Sequence, residues 1–526
     1  MLQESQTLDE TRDASSSDGE MQPAPATRRR MVEWLGVFAL VVCAAALFVT
    51  NNDFSRHYHS DESNKARFTA DLVQDFKHPL LLLQTSRLVN ALVQAEDRQA
   101  VTRIGRSVSA AAAAGLVLLM YLLARPRLGV AAGFAVAAGV ALSPIIVIHA
   151  HYFKEDLLLT LFCYLSLLAL ARFLAEPTRR TALLLGVATG LAFSSHYKSL
   201  ILAFVYLLAL VLVAPRPARA YVRLGLQAAA AAAVLFLIVN YPLLWDPAGF
   251  LKGFFFEGEH ALSGHDLRIR PMAHLFSFHL ANSLIPGMTL PLALAAVAAS
   301  LWAVLNFRRL DTAERILLLF IATAYFVVEL SPTKPFPDFQ RYVIPVVPGL
   351  IYFFVKLLSR IAAGQPERKK LILGVGALTL LAYPGYVTLN LLYALDRDTR
   401  EAVQAYVENN PGAYVFEWYA RPGPGTVRDI STVAPDAYGS EHGFYVASSF
   451  MYGRYLAGLS MQDQPPAVYA KAGRYARLFS GFECVEIRPR FRSFAFSNPV
   501  LRIVDLRRPT EQASGCEVRV HGGAQE

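Results

Sequence analysis

The apolar stretch WLGVFALVVCAAALFVT, Trp34–Thr50, leads directly into the polar stretch NNDFSRHYHSDESNKARFTADLVQDFKHPL, Asn51–Leu80. An apolar run of about 20 residues can cross the hydrocarbon core of a membrane, which is roughly 30 Å thick. The acidic pair Asp61-Glu62 and the turn at His78 therefore follow closely on a predicted membrane span. We expect the chemistry of the protein to lie in this first loop, with the rest of the chain as a scaffold around it.

The composition is that of a protein with many membrane spans. Of the 526 residues, 54% are hydrophobic and only 17% are charged, and the mean hydropathy is +0.35. A soluble globular domain has about a quarter of its residues charged. The net charge of +9 fits Lys and Arg at the cytoplasmic ends of spans. Membrane lipids are therefore expected partners, and nucleic acid is not.

Eleven membrane spans are predicted from the apolar runs. With the N-terminus in the cytoplasm, the short loops 125–127, 176–180, 216–223, 306–315 and 356–370 all fall inside, and each is rich in Lys or Arg, as the positive-inside rule requires. The predicted fold class is a mostly α polytopic membrane protein. The spans are about 31–50, 104–124, 129–148, 157–174, 181–195, the segment between Lys198 and Arg216, 224–240, 282–305, 315–330, the segment between Tyr342 and Lys356, and 371–391.

Three regions are predicted along the chain. Residues 1–30 are polar with mixed charge, which is typical of a disordered cytoplasmic N-terminus. Residues 31–394 form the membrane module, and its first outer loop, 51–103, is predicted to carry two amphipathic helices at the membrane interface. The first has an apolar face at Phe68, Leu72, Val73 and Phe76, and the second starts at Pro79.

Residues 395–526 are predicted to form a small extracytoplasmic α/β domain. A helix is expected over Thr399–Val407, and strands are expected at Tyr414–Phe416, Val485–Ile487 and Leu501–Val504. Two cysteines fall in this region. They can form a disulfide if it faces an oxidising compartment, and free buried thiols are the alternative; the two are Cys484 and Cys516.

Three acidic residues at the outer ends of spans are candidate catalytic groups. Asp61 and Glu62 follow the first span and Asp156 precedes the fourth. A carboxylate there can take a proton from an acceptor hydroxyl or orient it. The alternatives are a solvated charged loop for the pair and a helix start, which favours acids, for Asp156. Asp61 and Asp156 can share a metal ion or divide the base and orienting roles, and the spacing decides neither.

Basic and aromatic residues at the same ends form a candidate anion site for a lipid phosphate, which Arg can bind in a bidentate manner. Snorkelling to the interface and an aromatic belt explain any one of them equally well. The phosphate candidates are His78, Lys198, Lys334, Arg341 and Tyr342. Several histidines are also potential metal ligands without a recognised ligand motif, so a divalent cation is left open; they are His59, His149, His151, His260 and His265.

These motifs, in this order and on one side of the membrane, resemble the GT-C superfamily of membrane glycosyltransferases. The resemblance is greatest to the branch of protein O-mannosyltransferases and lipid A aminoarabinose transferases, of the glycosyltransferase family 39 type, and it covers spans 1 to 10. The matching elements are the acidic pair, the His78-Pro79-Leu80 turn, Asp156 before the fourth span, Lys198 after the fifth, and Arg341-Tyr342 ahead of Pro345 and Pro348.

The resemblance implies an inverting transfer of a hexose or pentose from a polyprenyl phosphate to a hydroxyl of a lipid, glycan or protein acceptor. Asp61 would be the base, Asp156 and Glu62 would position the acceptor or a cation, and the four residues His78, Lys198, Arg341 and Tyr342 would hold the phosphate. Relatives often have Lys or His before two prolines, whereas His78 here precedes Pro79-Leu80. A neutral His would be a weaker phosphate ligand.

The composition, rich in Ala, Leu and Arg, favours a bacterial inner membrane protein of the cell envelope, with a periplasmic C-terminal domain. Two other functions are compatible with the same features. A transporter or flippase of lipid-linked sugars should carry ionisable groups or broken helices near the bilayer midplane. A binding or assembly protein that acts through its outer domain should tolerate Asp61→Asn.

Overall fold

The computed structural model is mostly helical, with a small mixed sheet near the C-terminus, which confirms the predicted fold class. It describes residues 26–521 apart from 55–58, 60, 96, 264–266, 269–270, 332–337, 423–426, 433–442, 459–463, 492–494 and 511–514. Most of the predicted disordered N-terminus, together with His265 and Lys334, therefore lies outside the described residues. The last residues of that segment are helical, because the first helix already begins at Ala26.

Among the described residues, seventeen α-helices precede the outer domain. They are α1 Ala26–Val49, α2 Glu62–Ala70, α3 Leu81–Val93, α4 Arg98–Leu128, α5 Val130–Ala141, α6 Pro144–Ala150, α7 Asp156–Ala175, α8 Arg179–Ser195, α9 Ile201–Leu212, α10 Val222–Val239, α11 Pro247–Ser263, α12 Ile285–Met288, α13 Leu290–Leu305, α14 Thr312–Leu330, α15 Val347–Gly364, α16 Lys369–Ala377 and α17 Tyr383–Leu395. Short 3-10 turns join several of them, and Asp338–Val346 is the longest.

Polar caps mark the starts of three long helices. The side chains of Asp97, Thr178 and Asp311 accept hydrogen bonds from backbone N–H groups in the first turns of α4, α8 and α14. A side-chain oxygen at this position satisfies one of the four donors that a helix start leaves without a partner. These three helices therefore begin in polar loops, and their apolar residues follow within the predicted spans.

A helix lies at each of the eleven predicted spans. Among the described residues, six helical stretches are long and apolar enough to cross a membrane, and the number rises to eight if two bent pairs each count as one span. The bent pairs are α5 with α6, at 57°, and Leu280–Met288 with α13, at 113°. The remaining three predicted spans correspond to α8, α9 and α14, so the number eleven stays a prediction.

The first outer loop differs from the prediction. The helix expected across Phe68–Phe76 is wrong, because α2 ends at Ala70 and Leu72 has a left-handed backbone, with φ of 55°. The guanidinium of Arg87 donates to the carbonyls of Phe68 at 2.9 Å and Val73 at 2.6 Å. These bonds replace helical ones and fold the segment back on α3, which begins at Leu81, two residues beyond the predicted start.

A five-stranded mixed sheet forms the centre of the C-terminal region. The strand order is β1-β2-β4-β3-β5, with parallel pairs at both edges and antiparallel pairs between them. Apolar clusters cover both faces, so all five residues of β2 are buried. The elements are α18 Thr399–Asn409, β1 Tyr414–Phe416, β2 Phe444–Ser448, α19 Ser449–Gly458, α20 Pro466–Gly481, β3 Phe482–Pro489, β4 Leu501–Pro509 and β5 Glu517–His521.

The local predictions for this region agree with the structure. The expected helix coincides with α18, and the three expected strands lie within β1, β3 and β4. Cys484 and Cys516 form a disulfide, which ties β3 to the segment before β5. Of the two alternatives that the sequence left open, the structure therefore contains the bridge.

Candidate active site

One cavity collects six of the seven residues to which the family resemblance gives a role. Its volume is about 720 Å³. One end is polar and includes Asp61, His78, Asp156, Lys198, Arg341 and Tyr342. The other end is an apolar wall from α7, α9 and α14, and its lining includes Leu159, Phe204, Phe320 and Val327. The cavity therefore has a charged end and an apolar part that lies among helices of the membrane module.

Asp61 stands at the first position of the α2 turn, where the chain enters the cavity. Its carboxylate forms an ion pair with the ammonium of Lys154, and its Oδ2 lies 3.8 Å from Nδ1 of His59. Burial raises the pKa of the Asp61 carboxyl, but Lys154, His59 and Lys65 together outweigh burial and hold this pKa well below its usual value. Asp61 is therefore ionised at neutral pH.

The turn Lys154-Glu155-Asp156 carries three charged groups into the protein interior, and each side chain is almost fully buried. The turn packs closely on α4, since a Cβ added at Gly105 would lie 2.2 Å from the ring of Phe153. The ammonium of Lys65 pairs with Glu155, and burial, which raises the pKa of Glu155, is outweighed by Lys65 and Lys154, which lower it to about 2. The turn is therefore held in one geometry by fully charged partners.

Asp156 and Arg341 bring two distant parts of the chain together. Asp156 begins α7, and its Oδ2 lies 3.5 Å from Nη1 of Arg341 in the 3-10 segment before α15. Both side chains are more than nine-tenths buried. The ring of Tyr342 packs under two cations, with its centre 3.8 Å from Nζ of Lys198 and 5.5 Å from Cζ of Arg341. This end of the cavity is strongly electropositive.

His78 and His196 face each other, with ring centres 4.9 Å apart. Burial and neighbouring positive groups lower the pKa of both rings well below the usual value, so both are neutral at pH 7. His78 is therefore the neutral ring that the sequence left open, and its role as a phosphate ligand stays a prediction. A neutral imidazole can still donate one hydrogen bond from its N–H.

The contacts of the two rings decide which nitrogen carries the proton. Nδ1 of His196 accepts a hydrogen bond from the backbone N–H of Lys198 at 3.2 Å, and Nε2 of His78 lies 3.4 Å from Nζ of Lys154. The other nitrogens, Nε2 of His196 and Nδ1 of His78, are buried and have no hydrogen-bond partner within the described chain. Each of these nitrogens carries the proton of its ring, and an N–H suits an anionic oxygen.

One three-residue group among the described residues could hold a metal ion. His78, His196 and Glu257 each offer a ligand atom within 4.8 Å of the others. Metal binding through Nε2 of His196 and Nδ1 of His78 would require both ring protons to move to the nitrogens that now contact Lys198 and Lys154. The present hydrogen bonds therefore favour an anion at this place.

The other candidate histidines have separate roles. His149 and His151 hydrogen-bond to backbone carbonyls of Ile145 and Val147 within the same helical turn. His59 lies beside Asp61, and His260 lines the cavity and stacks on Phe256 with ring centres 5.7 Å apart. These four histidine candidates for a metal therefore do not converge as a set, and the fifth, His265, lies outside the described residues.

Glu62 differs from the other predicted catalytic residues because it is absent from the cavity lining. Its carboxylate is fully buried and receives two hydrogen bonds from the guanidinium of Arg106, at 2.9 and 2.8 Å. It also accepts the backbone N–H of Phe153 at 2.9 Å. Glu62 thus joins α2, α4 and the turn before Lys154, and its predicted role toward the acceptor or a cation has no support in this geometry.

Several residues in or beside the cavity have no role predicted from the sequence. Lys154 and His196 are not among the lining residues, but Lys154 contacts Asp61 and His196 faces His78. Each lies two positions before a predicted residue, and the run of charges after Phe153 is the signal in the sequence. Tyr419, Arg454 and Phe496 come from the C-terminal region and also line the cavity. No sequence pattern marks them, since they approach Asp61 only in the folded chain.

A membrane module with a polar site at one end and a sheet domain over that end is the arrangement of the GT-C fold. Two solved structures have a fold similar to that of this chain. The chain is similar to ArnT from Cupriavidus metallidurans in the apo state, with 14% identity, a TM-score of 0.50, and coverage of 90% of this chain and 98% of that chain. It is also similar to the oligosaccharyltransferase AglB from Archaeoglobus fulgidus in complex with an inhibitory peptide and a dolichol-phosphate. The identity is 11%, the TM-score is 0.53, and the match covers 85% of this chain and 73% of that chain.

The family comparison points the same way. The model of the dolichyl-phosphate-mannose-protein mannosyltransferase family matches residues 77–245. This stretch contains His78, Asp156, His196 and Lys198. A comparison with curated proteins finds no match. The chain therefore resembles GT-C membrane glycosyltransferases of the protein mannosyltransferase and ArnT branch, as the sequence motifs predict.

Proposed function

We propose that this chain is an inverting glycosyltransferase that transfers a sugar from a polyprenyl phosphate to an acceptor hydroxyl at the outer face of a bacterial cytoplasmic membrane. The observation that supports this proposal best is that the cavity has an apolar part and a cationic part. Its apolar wall and cationic end match the tail and the phosphate of such a donor. The similar AglB was solved with a dolichol-phosphate, and the matching family is named for a dolichyl-phosphate-mannose donor.

The donor phosphate is assigned to the electropositive end of the cavity. Lys198 and Arg341 supply positive charge there, and the N–H group of His78 supplies a neutral donor, with the ring of His196 packed behind it. The charge on the phosphate increases as the bond to the sugar breaks, and donors fixed in advance stabilise that charge. Tyr342 orients the two cations by packing against them.

Asp61 is assigned as the general base. The acceptor oxygen attacks the anomeric carbon, the bond from that carbon to the phosphate oxygen breaks, and the acceptor proton passes to the carboxylate. The ion pair with Lys154 holds this carboxylate in place. Asp156 keeps Arg341 in place and lies at the same end of the cavity, so it is assigned a positioning role.

The alternative of a transporter is favoured by one observation, the two bent helix pairs. The breaks at Leu142-Ser143 and at Thr289 are not among the cavity-lining residues, however. Most of the charged groups that line the cavity come instead from loops, helix starts and short turns, which suits chemistry at a membrane surface; they are Asp61, Lys77, Asp156, Lys198 and Arg341.

The test is donor turnover by the purified chain with a panel of polyprenyl-phosphate sugars and release of the polyprenyl phosphate as the readout. Loss of a general base reduces turnover by about 10²–10⁴-fold, so we expect Asp61→Asn to fall in that range and Asp156→Asn to be impaired. Glu367→Gln is the matched control, because Glu367 is exposed in a turn distant in sequence from every cavity residue. Unchanged turnover in both aspartate variants would refute the assigned roles.

A further inference from the structure

Phe496 of the C-terminal domain packs on His59, which lies beside Asp61, the proposed base. It is 1% exposed and lines the cavity together with Tyr419 and Arg454 of the same domain. The centre of its ring lies 4.4 Å from that of His59 and 5.3 Å from that of Tyr419. An aromatic side chain from beyond the last membrane helix is therefore inserted between the domain and the first outer loop.

The backbone that carries Phe496 is held in an unusual shape. Ala495 and Asn498 have left-handed backbones, with φ of 61° and 49°, and Tyr419 has φ of 67°. Residues with a side chain adopt this region only when surrounding contacts compensate for the strain. Here the N–H of Ala495 donates to Oε1 of Gln340 at 2.6 Å, and the N–H of Phe496 donates to the hydroxyl of Tyr152 at 3.3 Å. The membrane module therefore fixes the position of the ring.

His59 connects that ring to Asp61. The His59 side chain is 2% exposed, so it cannot turn without displacing Phe496 or Tyr152, whose ring centre lies 5.9 Å away. Nδ1 of His59 accepts the backbone N–H of Asp61 at 3.1 Å. The same nitrogen lies 3.8 Å from Oδ2 of Asp61. The orientation of His59 thus sets both the backbone and the carboxylate of Asp61.

We propose that Phe496 is a positioning residue for Asp61, which acts by locking the ring of His59. The inference rests on the proposed function for its catalytic consequence, and on the geometry alone for the contact. It makes the C-terminal domain part of the active site, so that release of this domain would disorder the base. A chain lacking that contact would bind the donor normally and transfer its sugar slowly.

The charged groups that face Asp61 predict how the pH profile should respond. They are Lys154 from the turn before α7 and Lys65 from α2, with His59 beside the carboxylate and His78 close to Lys154. The two lysines lower the pKa of Asp61 against the effect of burial. If the Asp61 segment loosens, its carboxylate is no longer held against Lys154, and the acid limb of the rate profile should shift to higher pH.

The experiment compares Phe496→Leu with Phe444→Leu in the full-length chain. Phe444 is a matched control, because it is 2% exposed in the same domain and packs on Tyr414 instead of the cavity. Amide exchange of the peptide that contains Asp61 is measured by mass spectrometry, and turnover is measured with the donor panel across pH. For Phe496→Leu we expect faster exchange at Asp61, a kcat reduced roughly 10- to 100-fold, an unchanged donor KM and an acid limb at higher pH. Phe444→Leu should change none of these.

The two readouts separate the contact from the function. If exchange at Asp61 is the same in Phe496→Leu and in the wild-type chain, the positioning role is overturned whatever the activity. The positioning role is also overturned if Phe496→Leu exchanges faster at Asp61 but keeps the kcat and the acid limb of the wild-type chain. In that case the base would not need the contact between Phe496 and His59. If the wild-type chain turns over no donor, the proposed function fails, and the exchange result alone decides whether Phe496 holds the Asp61 segment.

Discussion

Asp61 in the cavity and Glu417 in the C-terminal domain are two carboxylates with opposite charge states, and they differ in exposure, since the side chain of Asp61 is 39% exposed where it lines the cavity. Asp61 contacts the ammonium of Lys154 and lies near His59, and its pKa is held well below its usual value although burial acts to raise it. Glu417 is fully buried, and its hydrogen-bond donors are neutral, namely the hydroxyls of Tyr475 and Tyr445 and the N–H of Ser448. Burial raises its pKa to about 8.

The difference shows that a neighbouring cation, together with partial exposure, keeps Asp61 ionised, whereas neutral donors leave the fully buried Glu417 protonated. Hydrogen bonds from Tyr475, Ser448 and Tyr445 lower the pKa of Glu417, but they do not outweigh burial. Lys154, itself buried, supplies the missing cation for Asp61, and its own pKa is raised, since the neighbouring carboxylates outweigh the lowering effect of burial. A base must be ionised before the acceptor arrives, and this requirement separates the two sites.

The largest effect is expected from breaking a third carboxylate pair, Glu62 with Arg106. Both side chains are 0% exposed, so Arg106→Met leaves an unpaired buried charge, which costs about 3–5 kcal/mol. Thermal unfolding in detergent measures the loss. Arg103→Met is the control, because Arg103 pairs with Asp53 at 3.2 Å in an exposed site and such pairs contribute about 0–1 kcal/mol. Equal effects of the two substitutions would contradict the structural role assigned to Glu62.

Removing the cation from Asp61 tests the comparison directly. In Lys154→Met the burial of Asp61 is no longer opposed by its main cation, so the pKa of Asp61 rises and the base becomes protonated at mildly acidic pH. We expect turnover at neutral pH to fall by roughly 10²-fold and the acid limb to move upward in a profile from about pH 4 to 8. The lysine control is Lys471→Met, since Lys471 binds the hydroxyl of Tyr455 within the C-terminal domain. A profile that keeps its acid limb would show that Lys154 does not set the charge of Asp61.

Glu417→Gln tests the other half of the comparison through stability. The pKa of Glu417 is raised from 4.5 to about 8, so between these values the folded chain keeps a proton that the unfolded chain has released. The contribution of Glu417 to the free energy of unfolding is therefore present at low pH and is lost as pH rises, by at most about 1.4 kcal/mol per pH unit. A glutamine can donate to the two tyrosine hydroxyls and accept from Ser448. We expect the variant to melt a few degrees higher than the wild-type chain at pH 8 and to match it near pH 5; the opposite pH order would mean that Glu417 is ionised in the folded chain.

Much of the cavity was predictable because it follows from membrane topology. Asp61, His78, Asp156, Lys198 and Arg341 lie at the predicted outer ends of spans, and helices that cross one membrane must bring such ends to the same side. The fold class followed from the same apolar runs. The roles assigned to these five residues stay predictions until turnover is measured.

The remaining contacts depend on distances that a sequence does not contain. Lys65 meets Glu155 across 90 positions, and Phe496 meets His59 only because the C-terminal domain folds back over the first loop. The missing helix after Ala70 is a similar case, since Arg87 of the next helix takes the carbonyls that a helix would use. Periodicity reports the apolar face of a segment and does not report a competing side chain.

The smallest effect is expected from a chelator. Asp61 and Asp156 each have a protein cation as partner, Lys154 and Arg341, and the rings of His78 and His196 carry their protons on the nitrogens that lack a partner. The charge that a divalent ion would supply is therefore already present, and we expect EDTA to leave donor turnover unchanged. Metal analysis of the purified chain accompanies the assay. If EDTA abolishes turnover, and His196→Ala removes a bound metal while Glu367→Gln does not, then the His78–His196–Glu257 group binds a cation and the proton assignment of the two rings must be reversed.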